Sequence, residues 1–147
     1  MNQAIKILGI GAIVWLILQN VGVNIARKIA VGQVHLQNFK FSTTGIAFKL
    51  FVEIKNSSPV TLPVESFKGF IKFGDNTLTD ISLQNPEVIA ANSVVDIPFN
   101  INIPFNELSS TIVSVFQSGN GLNDLYLEGT LYSNGIRIPV YKSILSI

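Results

Sequence analysis

Strict alternation between two kinds of side chain is the feature of this sequence that most constrains its fold. From residue 46 to residue 55 every second residue is apolar, and this set is Ile46, Phe48, Leu50, Val52 and Ile54. Successive side chains of a β-strand point to opposite faces, so the pattern predicts a strand with one buried face. Residues 94–103 repeat it with Val95, Ile97, Phe99, Ile101 and Ile103. Pro98 cannot donate to a ladder, so this second strand is predicted at a sheet edge or with a bulge.

Weaker strands fill the intervals between turn signals. They are predicted at 34–41, 67–73, 77–83, 125–131 and 136–140. Ser42 to Gly45, Gly74 to Asn76, and Asn134-Gly135 separate neighbouring strands, and such residues favour tight turns. Short strands at regular spacing predict an all-β fold, an antiparallel immunoglobulin-like or fibronectin-like β-sandwich.

One segment breaks the strand pattern. Residues 106–117 place Leu108, Ile112 and Phe116 at helical spacing, with Asn106 as the expected N-cap. Isoleucine, valine and threonine are frequent inside it, so a strand competes with a helix. We favour one short helix that covers an open end of the sandwich.

The N-terminal part predicts a membrane anchor. No charged residue lies between Ile7 and Ala26, and twenty residues of helix span about 30 Å, the thickness of the hydrocarbon core of a bilayer. The apolar side chains expected in lipid are Ile7, Leu8, Ile10, Ile13, Val14, Trp15, Leu16, Ile17, Leu18, Val21, Val23 and Ile25. Lys6, Arg27 and Lys28 flank the stretch and are expected to contact headgroups. The alternative is a helix buried in a soluble assembly.

These patterns divide the chain in two. Residues 1–30 are predicted to form the single-pass anchor with its basic flank, and residues 31–147 the β-sandwich domain. No small-residue cleavage pattern follows Gly22, so the anchor is expected to be retained and to place the protein at a cell envelope or virion membrane.

Charge is unevenly distributed along the chain. All nine carboxylates lie from Glu53 onward, against five basic residues there, so that part is net negative by four. A net negative domain argues against a nucleic-acid partner. The chain contains no cysteine, which excludes disulfides and thiol chemistry.

No catalytic or cofactor-binding pattern is present. His35 is the only histidine, so a transition-metal site would need carboxylates around it, and a structural role is expected instead. No serine lies in a Gly-x-Ser-x-Gly elbow, and the carboxylates are scattered singly rather than in a calcium-binding loop. The sequence therefore predicts a protein that is not an enzyme, with no cofactor, no metal and no small-molecule substrate.

Five aromatic residues are predicted to point away from the core. They are Phe51, Phe70, Tyr126, Tyr132 and Tyr141. Exposed aromatic area on a sheet often marks a contact with a partner, so these residues form a candidate partner surface. The alternative is a shift of one strand by a bulge, which would turn its side chains inward. Asn56-Ser57-Ser58 also matches the short glycosylation acceptor pattern.

Several short motifs together resemble a known family. Asn56-Ser57-Ser58-Pro59 follows the alternating strand, 86–93 open the second long strand, and Leu127-Glu128-Gly129-Thr130 and Ile138-Pro139-Val140 lie near the end. Over residues 34–141 this order is similar to the group 2 late embryogenesis abundant domain, also called the water stress and hypersensitive response domain. The resemblance implies a β-sandwich, often behind an N-terminal anchor, with no catalytic residues. The proline of the turn is displaced to Pro59, where the family often has Asn-Pro-Asn.

Two functions are compatible with these features. The first is a membrane-anchored binding or structural module that contacts the lipid bilayer and a protein partner. The second is a minor structural subunit of a membrane-containing virion or envelope assembly, in which the anchor links a shell to lipid.

Overall fold

A computed structural model describes residues 28–118 and 124–146, and the predicted membrane span lies outside them. None of the helices in this described part could span a bilayer. Nine strands run in the order β1 (Ile29–Phe41), β2 (Gly45–Asn56), β3 (Leu62–Val64), β4 (Ser66–Phe73), β5 (Asn76–Ser82), β6 (Glu87–Ile89), β7 (Ser93–Pro104), β8 (Leu125–Ser133) and β9 (Ile136–Ser146). A 3₁₀ turn (Phe105–Glu107) and one helix, α1 (Ser110–Gln117), lie between β7 and β8. The described chain is therefore mostly β with one short helix.

Seven strands form one curled sheet in the order β5-β4-β8-β9-β1-β2-β7, and β3 and β6 form a separate pair. Neighbouring strands of the seven-stranded sheet are antiparallel except for β1 and β9. These two strands run parallel, with Val34 opposite Ile144 and Leu36 opposite Ser146. The expectation of a purely antiparallel sheet is therefore wrong at this one pair. Pairing between the two ends of the chain has no local sequence signal, because it depends on how distant strands meet.

Two irregularities in β1 help the sheet to curl. Its register with β2 shifts between Val31 and Val34 and again between Gln37 and Lys40. Asn38, inside the second shift, has a φ of 57°, a left-handed conformation that asparagine tolerates better than most residues. Extra residues on one strand bend it and increase its twist. The curl brings the two halves of the sheet face to face.

The core lies between those facing halves. Ile46, Phe48, Leu50, Val52 and Ile54 are all buried, which confirms the alternation predicted for β2. On β7, Ile97, Ile101 and Ile103 are buried, and Val95 and Phe99 pack against the same cluster. The ring of Phe67 on β4 lies 6.2 Å from that of Phe99 on β7, so the core joins the two halves. β7 is an edge strand, as Pro98 predicted.

The turns follow the sequence signals. β4 and β5 form a hairpin at Gly74, and β8 and β9 form one at Asn134-Gly135. Asn134 and Gly135 both have positive φ, 54° and 78°. Two successive residues with positive φ make the type I′ turn that matches the twist of a hairpin. The predicted strand pairs around these turns are confirmed.

β1 begins earlier than expected. Its first residue is Ile29, two positions before the predicted start of the domain, and the Ile29 side chain is buried in the core. His35, expected near the connector, lies within β1. The strand extends toward the N-terminus because Ile29 and Val31 add buried apolar area opposite Asn56 and Ile54 of β2.

The helix is present but starts later than predicted. Ser109, not Asn106, is the N-cap of α1, and its Oγ accepts a hydrogen bond from the backbone N–H of Ile112. Asn106 lies in the preceding 3₁₀ turn. Ile112 and Phe116 are buried, and the ring of Phe116 lies 6.2 Å from that of Phe39 and 5.9 Å from that of Phe73. With Ser109 as the N-cap, Ile112 and Phe116 both reach the core from one side of the eight-residue helix.

Ser109→Ala is expected to lower the free energy of unfolding by about 1 kcal/mol, because the Ile112 N–H loses its acceptor. The measurement is urea denaturation of the full chain, solubilised in detergent. Ser114→Ala is the matched control, since Ser114 is an exposed interior residue of α1 whose hydroxyl donates to the Ser110 carbonyl. An equal loss in both variants would contradict the assignment of Ser109 as the cap.

Candidate binding face

Four of the five predicted outward aromatics share one surface, which we call the aromatic face. It is the outer side of β4, β8 and β9, and it carries Phe70, Tyr126, Tyr132 and Tyr141. Phe70 is 49% exposed and Tyr141 is 67% exposed. Because β4, β8 and β9 pair without a bulge between them, their outward residues stay on one side. These four side chains therefore lie on the same side of the sheet, and their role as a partner surface stays a prediction.

The ladder register sets how these side chains neighbour one another. Glu128 is opposite Phe70 on one side and opposite Tyr141 on the other, so it separates these two rings. Tyr126 is opposite Lys72. The rings of Tyr126 and Tyr141 lie 4.9 Å apart, and the Tyr126 hydroxyl donates to the Gly74 carbonyl at 2.6 Å. The ring contact and the hydrogen bond therefore hold Tyr126 in place, while Phe70 and Tyr141 remain largely exposed.

Lys72 and Glu128 form an ion pair in the middle of the face, with Nζ and Oε2 3.2 Å apart. The hydrogen bond to the Glu128 carboxylate raises the pKa of Lys72 above its ordinary value. Desolvation raises the pKa of the Tyr126 phenol. Both shifts favour the protonated forms, so at neutral pH Lys72 is a cation and Tyr126 is uncharged.

A broad depression of about 1280 Å³ lies over this face. Its lining includes Phe70, Lys72, Glu128 and Tyr141 from the aromatic face, and also Ala30 at the beginning of β1. The lining is wide and mixed in polarity, which fits an extended contact better than a closed small-molecule site. The first residues of β1 therefore border the same surface as the exposed aromatics.

Phe51 does not belong to this face. It lies on β2, where its ring stacks on His35 of β1 with centroids 5.2 Å apart, and Lys49 Nζ lies 5.9 Å from the ring centre. His35 is thus a packing partner of an aromatic ring. The structure separates Phe51 from the other four aromatics because β1, β2 and β7 form the opposite half of the curled sheet.

Metal-ligating side chains are dispersed over residues 28–118 and 124–146. No group of three or more histidine, cysteine, aspartate or glutamate residues in these ranges could hold a metal ion. The ring of His35 lies on Phe51 rather than in a cluster of carboxylates.

A buried polar network at the end of β2 is a feature that motif reading identified only in part. Asn56 is 1% exposed, and its Nδ2 lies 2.9 Å from the Val60 carbonyl oxygen, 3.0 Å from that of Ile89 and 3.1 Å from that of Ala90. Its Oδ1 accepts from the backbone N–H and the hydroxyl of Ser58. The side chain ties the loop after β2 to β6, which explains why an asparagine turn follows the strand.

The hydrogen bonds of Asn56 also bear on whether the glycosylation acceptor pattern can be used. An acceptor asparagine must present Nδ2 to a transferase, but the Nδ2 of Asn56 is buried and already donates to carbonyls. The folded domain therefore cannot be modified at this position, and the match to Asn56-Ser57-Ser58 reflects a structural turn.

Comparison with known proteins shows a similarity of fold only. No protein-family model matches the chain, and no curated protein matches it. A crystal structure of a protein from Archaeoglobus fulgidus is 11% identical, with a TM-score of 0.52 over 76% of this chain and 90% of that one. A solution structure from Arabidopsis thaliana is 14% identical, with a TM-score of 0.56 over 78% of this chain and 76% of that one.

A third solved structure has a lower TM-score. It is a solution structure of a candidate late embryogenesis abundant protein, 12% identical, covering 96% of this chain and 87% of that one with a TM-score of 0.43. The two higher scores show that this fold occurs in proteins from an archaeon and a plant. At these identities the likeness speaks for the fold alone.

Proposed function

We propose that this protein is a non-catalytic, membrane-anchored β-sandwich module that holds a binding surface beside a bilayer. The observation that carries the proposal is the aromatic face, where Phe70 and Tyr141 are largely exposed on a well-paired sheet. Large aromatic side chains exposed together are uncommon on a monomer without a partner. The uncharged stretch from Ile7 to Ala26 and its basic flanks support a lipid attachment.

The proposal includes kinship to group 2 late embryogenesis abundant domains. Its support is the asparagine turn after β2, whose side chain links that turn to β6, together with the other motifs of residues 34–141. The facing halves of the curled sheet, with one shared core, agree with the β-sandwich expected for such a domain. The virion or envelope subunit remains the alternative, and stoichiometric recovery in purified particles would favour it.

The anchor is tested by extraction. Full-length protein in vesicles is expected to resist washing with alkaline carbonate and to require detergent for release, because twenty uncharged residues bury in lipid. The readout is the fraction of protein that floats with the vesicles after the wash.

A matched pair of variants sharpens this test. Leu16→Arg places a charge at the centre of the stretch, at a cost of about 3 kcal/mol for insertion, and is expected to increase the washed-out fraction. Lys6→Arg keeps the flanking charge and is expected to behave like the natural chain. Release of the natural chain by carbonate alone would overturn the proposal.

A further inference from the structure

The aromatic face has the composition of a membrane interface. It combines two exposed rings, Phe70 and Tyr141, with the cations Lys68 and Lys72 of β4 and Arg137 of β9. Tyrosine, lysine and arginine side chains favour the headgroup level, because each has an apolar body and a polar or charged end, and an exposed phenylalanine ring adds apolar area that inserts beside them.

Charge on this face opposes the charge of the domain. From Glu53 onward the chain is net negative by four, yet the outer side of β5, β4, β8 and β9 carries three cations, Lys68, Lys72 and Arg137, and only two carboxylates, Asp80 and Glu128. Glu128 is already paired with Lys72. Within the described ranges Lys68 and Arg137 form no ion pair, so both remain available to anionic lipid headgroups.

The start of β1 brings this face close to the proposed anchor. Ala30 and Val31 line the depression together with Pro139 and Tyr141 of β9. Only Arg27 and Lys28 separate Ala26, the last residue of the uncharged stretch, from Ile29, the first residue of β1. A connection of two residues reaches at most about 10 Å. A domain held this closely must lie against the bilayer, and the surface beside its attachment point is the aromatic face.

We propose that the aromatic face lies on the bilayer, with Phe70 and Tyr141 at the headgroup level and Lys68 and Arg137 against anionic headgroups. The occupant of the depression is therefore the lipid surface itself, not a second protein. This inference rests on the proposed anchor, and it adds the orientation of the domain and the class of lipid that it favours.

The absence of cysteine from the chain provides a direct test. The variants Tyr141→Cys and Asn100→Cys each accept one thiol-reactive fluorophore. Both positions are exposed, but Asn100 lies on β7 in the opposite half of the sheet, so its label should face away from the bilayer. Each labelled full-length protein is reconstituted in phosphatidylcholine vesicles with and without phosphatidylserine, and headgroup-labelled nitroxide lipids serve as quenchers.

Quenching at position 141 is expected to exceed that at position 100 by at least about twofold, and to increase with phosphatidylserine, because Lys68 and Arg137 attract the anionic surface. Equal quenching at both positions in protein that floats with vesicles would overturn the orientation while leaving the anchor intact, and would leave the face to a protein partner. Failure to float would overturn both proposals. Phe70→Cys gives a second position on the face and is expected to follow position 141.

Discussion

Asn56→Asp is expected to lower the free energy of unfolding by about 3–5 kcal/mol at neutral pH, because it leaves an uncompensated buried charge. The substitution hardly changes the shape of the side chain. It replaces an Nδ2 donor that faces the carbonyl oxygens of Val60, Ile89 and Ala90 with an oxygen that can only repel them when ionised. The loop after β2 would then lose its link to β6. Chemical denaturation of the detergent-solubilised full chain, followed by circular dichroism, measures the loss.

The pH dependence of this variant gives an independent check. Burial and the facing carbonyls favour the protonated acid, so the pKa of the introduced carboxyl is raised in the folded state. The part of the penalty that comes from the charge is therefore absent below the unfolded pKa of about 4 and fully present above the raised folded pKa. The difference in the free energy of unfolding between Asn56→Asp and the natural chain should therefore decrease as the pH falls toward about 4.

Asn100→Asp is the matched control, because it adds the same charge at an exposed position of β7. Its effect is expected to stay within about 0.5 kcal/mol. If both aspartate variants lost the same stability, the assignment of the Asn56 amide as a buried donor would be wrong.

Gly129→Ala is expected to lower the free energy of unfolding by about 2–3 kcal/mol, as overpacking against backbone does. A Cβ at Gly129 would lie 2.5 Å from the Lys68 carbonyl oxygen and 2.7 Å from the Gly69 Cα, so β4 and β8 would have to separate. Gly69 and Gly129 are directly opposite each other, and they let the two strands approach closely beneath the aromatic face. Thermal unfolding followed by far-ultraviolet circular dichroism measures the loss of stability.

The neighbouring substitution Thr130→Ala separates this effect from a general weakening of β8. Thr130 points outward opposite Lys68 and Pro139, and its loss should cost less than about 1 kcal/mol. Should Gly129→Ala be as stable as Thr130→Ala, the close approach of the strands would not require glycine. Gly69→Ala, where a Cβ would lie 2.9 Å from the Glu128 carbonyl oxygen, should act in the same direction.

The sequence predicted only part of the aromatic face. Alternation predicted that Phe70, Tyr126, Tyr132 and Tyr141 point outward, and the bulge-free pairing of β4, β8 and β9 keeps them there. Phe51 has the same alternation, yet it packs on His35 in the other half of the sheet. Sequence periodicity reports which side of its own strand a residue faces, and the order of strands in the sheet decides which residues become neighbours.

Local features of this protein follow from its amino-acid sequence: the strands with a buried face, the hairpins at Gly74 and Asn134-Gly135, and the edge position of Pro98. Each depends on residues close in the chain, through side-chain alternation, turn conformation or a missing N–H. The parallel pairing of β1 with β9, the burial of Ile29 and the hydrogen bonds from Asn56 to β6 depend instead on how distant segments pack. Each of these joins residues far apart in sequence, and a local pattern carries no information about such partners.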